Sequence, residues 1–178
     1  MAQNGGECTI MGNTERNSFV KEKITETLIR LLKEKQLMDI SISEIIQEAQ
    51  VSRNSFYRNY SEKEDILRDR IRTLLTDWKA AYDKTGKDSN SELYLSLFSH
   101  LKDHRDFYLL LRERHLFHIF QQVYLSLYGP PEDLNNITAY VVSFISYGTY
   151  GWIEEWMKRG MHDTPEEMAA LLSLQGAK

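Results

Sequence analysis

Residues 41–64 read SISEIIQEAQVSRNSFYRNYSEKE, with serine, asparagine, arginine and tyrosine set between two apolar runs. Ser41 stands three residues ahead of Glu44, the spacing of a capping box, in which a hydroxyl and a carboxylate satisfy free amides of a helix's first turn. A short helix is therefore expected from about Ile42 through Ile45, Ile46 and Ala49. After AQVS, Ser52 is a fresh N-cap candidate for a third short helix carrying Phe56, Tyr57 and Tyr60. Ser61 and Glu64 then repeat the capping-box spacing. Two short helices joined by three or four residues, the second capped and polar, have the layout of a helix-turn-helix.

That layout assigns a task to each side chain. Ile45, Ile46, Ala49, Val51 and Phe56 are expected to hold the short helices against their neighbours, leaving Arg53, Asn54, Ser55, Tyr57, Arg58 and Asn59 outside. Arginine donates bidentately to guanine and asparagine to adenine, while hydroxyls and lysine suit phosphate oxygens. Between Val51 and Lys63 the chain carries Arg53, Arg58 and Lys63 against Glu62 alone. The local excess matters because the whole chain has a formal net charge of −4, which by itself repels phosphate. A solvated hairpin in a helical bundle would share the layout, yet it has no need of Tyr57 and Lys63 at set distances from a capped short helix.

Helical spacing continues on both sides. Before the segment, Phe19, Ile24, Leu28, Leu31 and Leu32 mark an amphipathic helix over 17–34. After it, Ile66, Leu67, Ile71, Leu74, Leu75 and Trp78 mark a fourth helix reaching Tyr82, before the break at GKDSN. Helix is read again over 92–101, over one kinked or two consecutive helices ending at Gly129-Pro130-Pro131, over 137–159, and after Thr164-Pro165. Nothing reads as strand. The fold class is all-α with about nine helices: a leader at 1–15, a helix-turn-helix domain at 16–62 and a helical body at 63–178.

Composition narrows the setting. The chain has 178 residues and is 42% hydrophobic, enough to bury a core. No apolar run is long enough to span a bilayer, and the first residues lack the basic start and apolar centre of a signal peptide, so a soluble, cytoplasmic protein without a membrane association is expected. The single Cys8 offers no internal disulfide and receives no role. The pairs His100/His104 and His115/His118 have spacings that place two imidazoles on one helix face, but no third ligand is evident, and no metal or cofactor is expected. There is no nucleophile with a base partner, no phosphate loop and no supported pair of carboxylates, so no enzyme is read.

ISISEIIQEAQVSRNSFYRNYSEKEDIL resembles the DNA-binding domain of TetR/AcrR regulators, whose pattern is T-V-x-x-I-A-x-x-A-G-V-S-x-x-T-x-Y-x-x-F-x-x-K-x-x-L. Ser41, Ile42, Ile45, Ala49, Val51, Ser52, Ser55, Tyr57, Tyr60, Lys63 and Leu67 agree with it or substitute closely. The resemblance is specific over residues 17–67. It implies a recognition helix at 52–58, Tyr57 and Lys63 on phosphates, and Ser43, Arg53, Asn54 and Ser55 facing bases or backbone. The full DNA-facing set is Ser41, Ser43, Ser52, Arg53, Asn54, Ser55, Tyr57, Arg58, Asn59 and Lys63. Two positions depart from the pattern: Gln50 replaces glycine, and Ile46 replaces a small alanine. If the turn demands a left-handed backbone at Gln50, the cost is on the order of 1 kcal/mol.

The resemblance further implies a homodimer that reads a palindromic operator in double-stranded DNA, repression as the expected sign, and a small-molecule effector held in the body. The aromatic and basic cluster at 107–128 supplies candidate effector residues, Tyr108, Arg112, His115, His118 and Tyr124, joined by Tyr147. An aromatic stripe at this spacing is more often a core. The dimer candidates are Tyr150, Trp152, Ile153, Trp156, Met168, Leu171 and Leu172, with the central helix of a monomer as the plainer alternative. The segment HRDFYLLLRERHLFHIF loosely resembles regulators associated with dihydroxyacetone-kinase operons, some of which work with a partner protein. That leaves a co-regulator with weak or no autonomous DNA binding as the second function class.

Overall fold

The computed structural model describes residues 13–175, and every described element is helical. Among the described residues nine α-helices run in chain order: α1 (Asn13–Glu34), α2 (Ile42–Glu48), α3 (Arg53–Asn59), α4 (Lys63–Asp83), α5 (Asn90–Asp103), α6 (Arg105–Glu113), α7 (Phe117–Tyr128), α8 (Asn136–Lys158) and α9 (Pro165–Gln175). A single 3-10 turn, Leu37–Asp39, separates α1 from α2. The leader expected at 1–15 lies mostly outside the described residues, as does Cys8, and α1 begins earlier than its apolar spacing suggests. The chain divides into two compact units after Ile66, within α4. No described helix is long and apolar enough to cross a membrane.

In the first unit, α1, α2 and α3 close around a small core. Ile24, Leu28 and Leu32 of α1 meet Ile45 and Ala49 of α2 and Phe56 of α3, all buried. Ile46 and Val51, expected in this core, are only half-buried. Caps fix where the short helices begin. Ser41 Oγ accepts from the Glu44 amide at 3.0 Å, and Ser52 Oγ accepts from the Ser55 amide at 3.0 Å. The start of α4 departs from the capping box read at Ser61 and Glu64. The Asp65 carboxylate instead accepts from the amides of Ser61 and Glu62, each at 3.0 Å, because it sits one residue deeper in the first turn and reaches both.

The second unit is a bundle of α5 to α9 with the rest of α4. Leu97, Phe98 and Leu101 of α5 pack toward α9 and α8, where the Phe98 ring meets Trp156 edge-on at 5.1 Å. The segment at 105–128 resolves into two helices, broken where His115 takes a positive φ of 60°. Between α8 and α9, Gly160 and Met161 both adopt positive φ, and this turn is tied to the bundle. Lys102 donates to the Met161 carbonyl, Arg105 to the Gly160 carbonyl at 3.1 Å, and the Trp156 indole N–H to the Asp163 carbonyl at 3.2 Å. At the start of α9 the capping box at Thr164 and Glu167 is complete in both directions.

Candidate nucleic-acid interface

The helix-turn-helix depends on a backbone that bends sharply between α2 and α3. Gln50 supplies the bend with φ of 56°, the left-handed region that glycine enters freely and other residues enter at a cost. The Val51 amide returns to the Ile46 carbonyl at 3.2 Å and the Gln50 amide to Gln47 at 3.2 Å, so the turn's donors are satisfied. This is the left-handed position that the family pattern reserves for glycine.

With Phe56 sealed in the core, the phase of α3 is fixed and its opposite face is open. Arg53, Asn54, Tyr57 and Arg58 are exposed along it, and Tyr57 keeps 51% of its surface while touching Phe56 edge-on. Arg53 Nη2 donates to Ser43 Oγ at 3.2 Å, which joins the first turns of the two short helices. Ser52 and Ser55 share a hydroxyl contact at 2.8 Å at the N-terminus of α3. The Asn59 amide is turned back onto the Ser55 carbonyl at 2.9 Å, so its donors are partly committed within the helix.

Lys63 has a structural duty of its own. Its ammonium donates to the carbonyls of Leu37 and Ile40, each at 2.6 Å, closing the 3-10 turn against the start of α4. An ammonium has three protons, so one remains for a phosphate. Elsewhere in the unit, Arg30 pairs with Glu48 and Lys35 with Glu44. The hydrogen bond from Lys35 holds the Glu44 carboxyl below its usual range, and both pairs lie toward α1 rather than on the open face of α3. The cations of α3 are therefore not neutralised by these carboxylates.

Comparison with known proteins places this geometry. Residues 24–69 match the family model of bacterial regulatory proteins of the tetR family, and residues 88–174 match that of a transcriptional regulator C-terminal region, also a TetR model. The chain belongs to the TetR family of transcriptional regulators. Among individual relatives, the uncharacterized HTH-type transcriptional regulator YxbF of Bacillus subtilis (strain 168) is 29% identical over 105 residues. The match takes in 55% of this chain and 28% of that protein, so the chain spans well under two thirds of the curated relative.

In the C-terminal unit of this TetR-family chain a cavity of about 220 Å³ opens between α4, α5, α7 and α8. Trp78, Tyr94, Leu97, Tyr124, Ser146 and Thr149 form much of its wall. Of the six residues singled out for an effector, Tyr124 alone lines this cavity. Tyr108 is fully buried between α6 and α7, its hydroxyl without a hydrogen-bond partner and its ring against Phe120. Arg112 lies over the Phe117 ring at 5.6 Å, while His115, His118 and Tyr147 are exposed. Sequence reasoning missed Trp78 and Tyr94, which sit on α4 and α5, outside the cluster at 107–128. Their aromatic character in half-polar helices was the available signal.

The residues singled out for dimerisation divide in a similar way. Tyr150, Ile153, Trp156 and Met168 are buried within the chain's own fold, Trp152 and Leu172 are half-buried, and Leu171 is exposed. The open apolar surface of α8 lies one to four turns earlier, at Ile137, Tyr140, Val141, Phe144 and Tyr147, with Phe144 keeping 82% of its surface. Gly148 and Gly151 continue toward the helix C-terminus, and a methyl group added at either would meet nothing within 4 Å. No group of three His, Cys, Asp or Glu side chains able to hold a metal occurs among the described residues.

Proposed function

We propose that the chain is a homodimeric, sequence-specific DNA-binding regulator that represses from a palindromic operator and is released by a small molecule held in its helical body. The DNA-binding domain is residues 16–62, and residues 63–178 form the effector-binding and dimerisation domain. The observation that carries this reading is the outward face of α3: a short helix anchored by Phe56, capped by Ser52, and presenting Arg53, Asn54, Tyr57 and Arg58 to solvent. Such a helix enters a major groove with its N-terminal residues toward the base edges. Arg53 and Asn54 read bases, while Ser41, Ser43, Ser52, Ser55, Tyr57, Arg58, Asn59 and the remaining Lys63 proton fix the backbone register.

One recognition helix buries too little surface for typical specific affinity, whereas two of them one DNA turn apart, roughly 34 Å, read a palindrome together. The unpartnered apolar stripe of α8 supports pairing of two copies, since a monomer gains nothing by leaving Ile137, Tyr140 and Phe144 in water. A ligand then lowers operator affinity only to the extent that it binds one spacing of the two recognition helices better than another. Selection of bound duplexes from a random pool, followed by footprinting, tests the proposal. The expected result is a recovered palindrome with two half-sites about one turn apart; a pool with no enriched sequence sinks it.

A further inference from the structure

The cavity in the C-terminal unit has a wall whose chemistry narrows its ligand, and we infer that it takes a single-ring, uncharged molecule that donates a hydrogen bond, of the phenol class. The inference rests on the effector reading above and specifies its ligand. Size sets the first limit. An apolar cavity of about 150 Å³ holds one benzene ring, so about 220 Å³ accommodates one ring with a small substituent and falls short of the usual drug-sized pocket. Trp78, Tyr94, Tyr124 and Tyr128 offer the flat faces and edges against which such a ring packs.

Charge sets the second limit. Lys79 is the one ionic side chain of the lining, and it pairs with Asp83 one turn further along α4. Burial raises the phenols of Tyr124 and Tyr128, the latter up to about 12, so both stay neutral at physiological pH. A carboxylate entering here would find only Lys79, already paired with Asp83, and an ammonium would find no carboxylate in the lining, so either gives up hydration for little in exchange.

The direction of the hydrogen bonds sets the third. Three polar protons of the wall are spent on the protein: Tyr128 donates to the Leu75 carbonyl at 3.2 Å, Ser146 to the Ser143 carbonyl at 3.2 Å, and the Trp78 N–H to Ser96 Oγ at 2.9 Å. What remains on Tyr128 and Ser146 is oxygen lone pairs, which accept. A ligand that brings its own O–H finds an acceptor in either of these two oxygens.

Calorimetry on the full chain with phenol, its methyl ether anisole, and benzoate tests this. Saturable phenol binding is expected, with anisole weaker by about tenfold or more and benzoate not binding. Leu93→Trp, which fills the cavity from α5, and Ser146→Ala, which removes an acceptor while leaving the space, are each expected to weaken phenol in variants whose helical signal matches the parent. Absence of phenol binding, anisole or benzoate binding as tightly as phenol, or unchanged affinity in Leu93→Trp overturns the inference. A gel shift on the selected operator separates the two readings: phenol that binds by calorimetry yet leaves operator affinity unchanged supports the pocket's chemistry and removes its effector role.

Discussion

The guanidinium of Arg53, in the first turn of α3, donates to the hydroxyl of Ser43, in the first turn of α2, at 3.2 Å. One side chain thus links the helix that would read bases to the helix that crosses the backbone. Arg53→Ala is expected to relax base preference at one operator position by about 1–3 kcal/mol, because a bidentate pair to guanine is lost. Ser43→Ala frees the guanidinium and removes one backbone contact, so it should weaken binding to every sequence alike by about 1 kcal/mol and leave base preference close to the parent's. Competition among operators with single-base changes distinguishes the two, and equal discrimination by Arg53→Ala and the parent would remove Arg53 from the base-reading set.

Tyr57 is half exposed beside buried Phe56, and in the proposed complex its phenol hydroxyl meets a phosphate oxygen. Tyr57→Ala should weaken binding to every sequence alike. The dependence of affinity on salt should stay close to the parent's, since a phenol neutralises no phosphate charge. A titration of binding against salt checks both points.

Gln50 holds φ of 56° in the turn between α2 and α3. Gln50→Gly should raise stability by roughly 0.5–1 kcal/mol, the relief of the left-handed backbone partly offset by greater freedom of the unfolded chain. Denaturant unfolding measures it. A destabilised glycine variant would mean that the Gln50 side chain contributes more than its backbone costs.

Phe144 and Ile153 sit on the same helix with opposite fates, one open and one sealed. Phe144→Glu should leave unfolding stability near that of the parent per subunit while shifting sedimentation from dimer to monomer, since a charge in an apolar seam has no partner. Ile153→Ala should lower stability by about 2–5 kcal/mol through the cavity it leaves. A Phe144→Glu protein that still sediments as a dimer would move the interface elsewhere.

His100, on α5, stacks near Trp78 and lies 4.8 Å from the His104 ring. Burial first, then the neighbouring His104, push its imidazole down to about 4. The unfolded chain therefore binds a proton near pH 6.5 that the folded chain refuses until about pH 4, so stability is full above pH 6.5 and declines as pH falls between those values. His100→Gln should flatten the slope of denaturant midpoint against pH in that window. An unchanged slope would assign the effect to other groups.

Much of the first unit could be read from the chain because its signals are local. Ser41 and Ser52 announce helix starts within three residues of the amide they satisfy, and Thr164 does the same for α9. Ser61 shows the limit of such reading. Asp65 and Glu64 are equally acidic in sequence, and only the path of the backbone decides which carboxylate reaches the free amides. Lys63 was legible as a cation but not as the partner of two carbonyls more than twenty residues earlier, which no local spacing encodes.

In the body the uncertainty was one of rotation. Each residue turns a helix by about 100°, so a break that resets the phase, as at His115, moves every later side chain to a new side. The cluster at 107–128 therefore scattered into core, surface and a single cavity residue. In α8 almost every side carries apolar groups, and the pattern gives no phase at all. Only packing against α6 and α7 distinguishes Tyr150 and Ile153, sealed, from Tyr140 and Phe144, open.

Ser146 and Thr149 of α8 border the cavity while Phe144, Tyr147 and Gly148 stand open on the same turns. A genetic screen across this helix should therefore yield two kinds of allele, interleaved along the chain. Changes at one set of positions would leave a regulator deaf to its inducer yet able to poison mixed oligomers, and changes at the next would make recessive nulls, so dominance read codon by codon would trace the helical repeat.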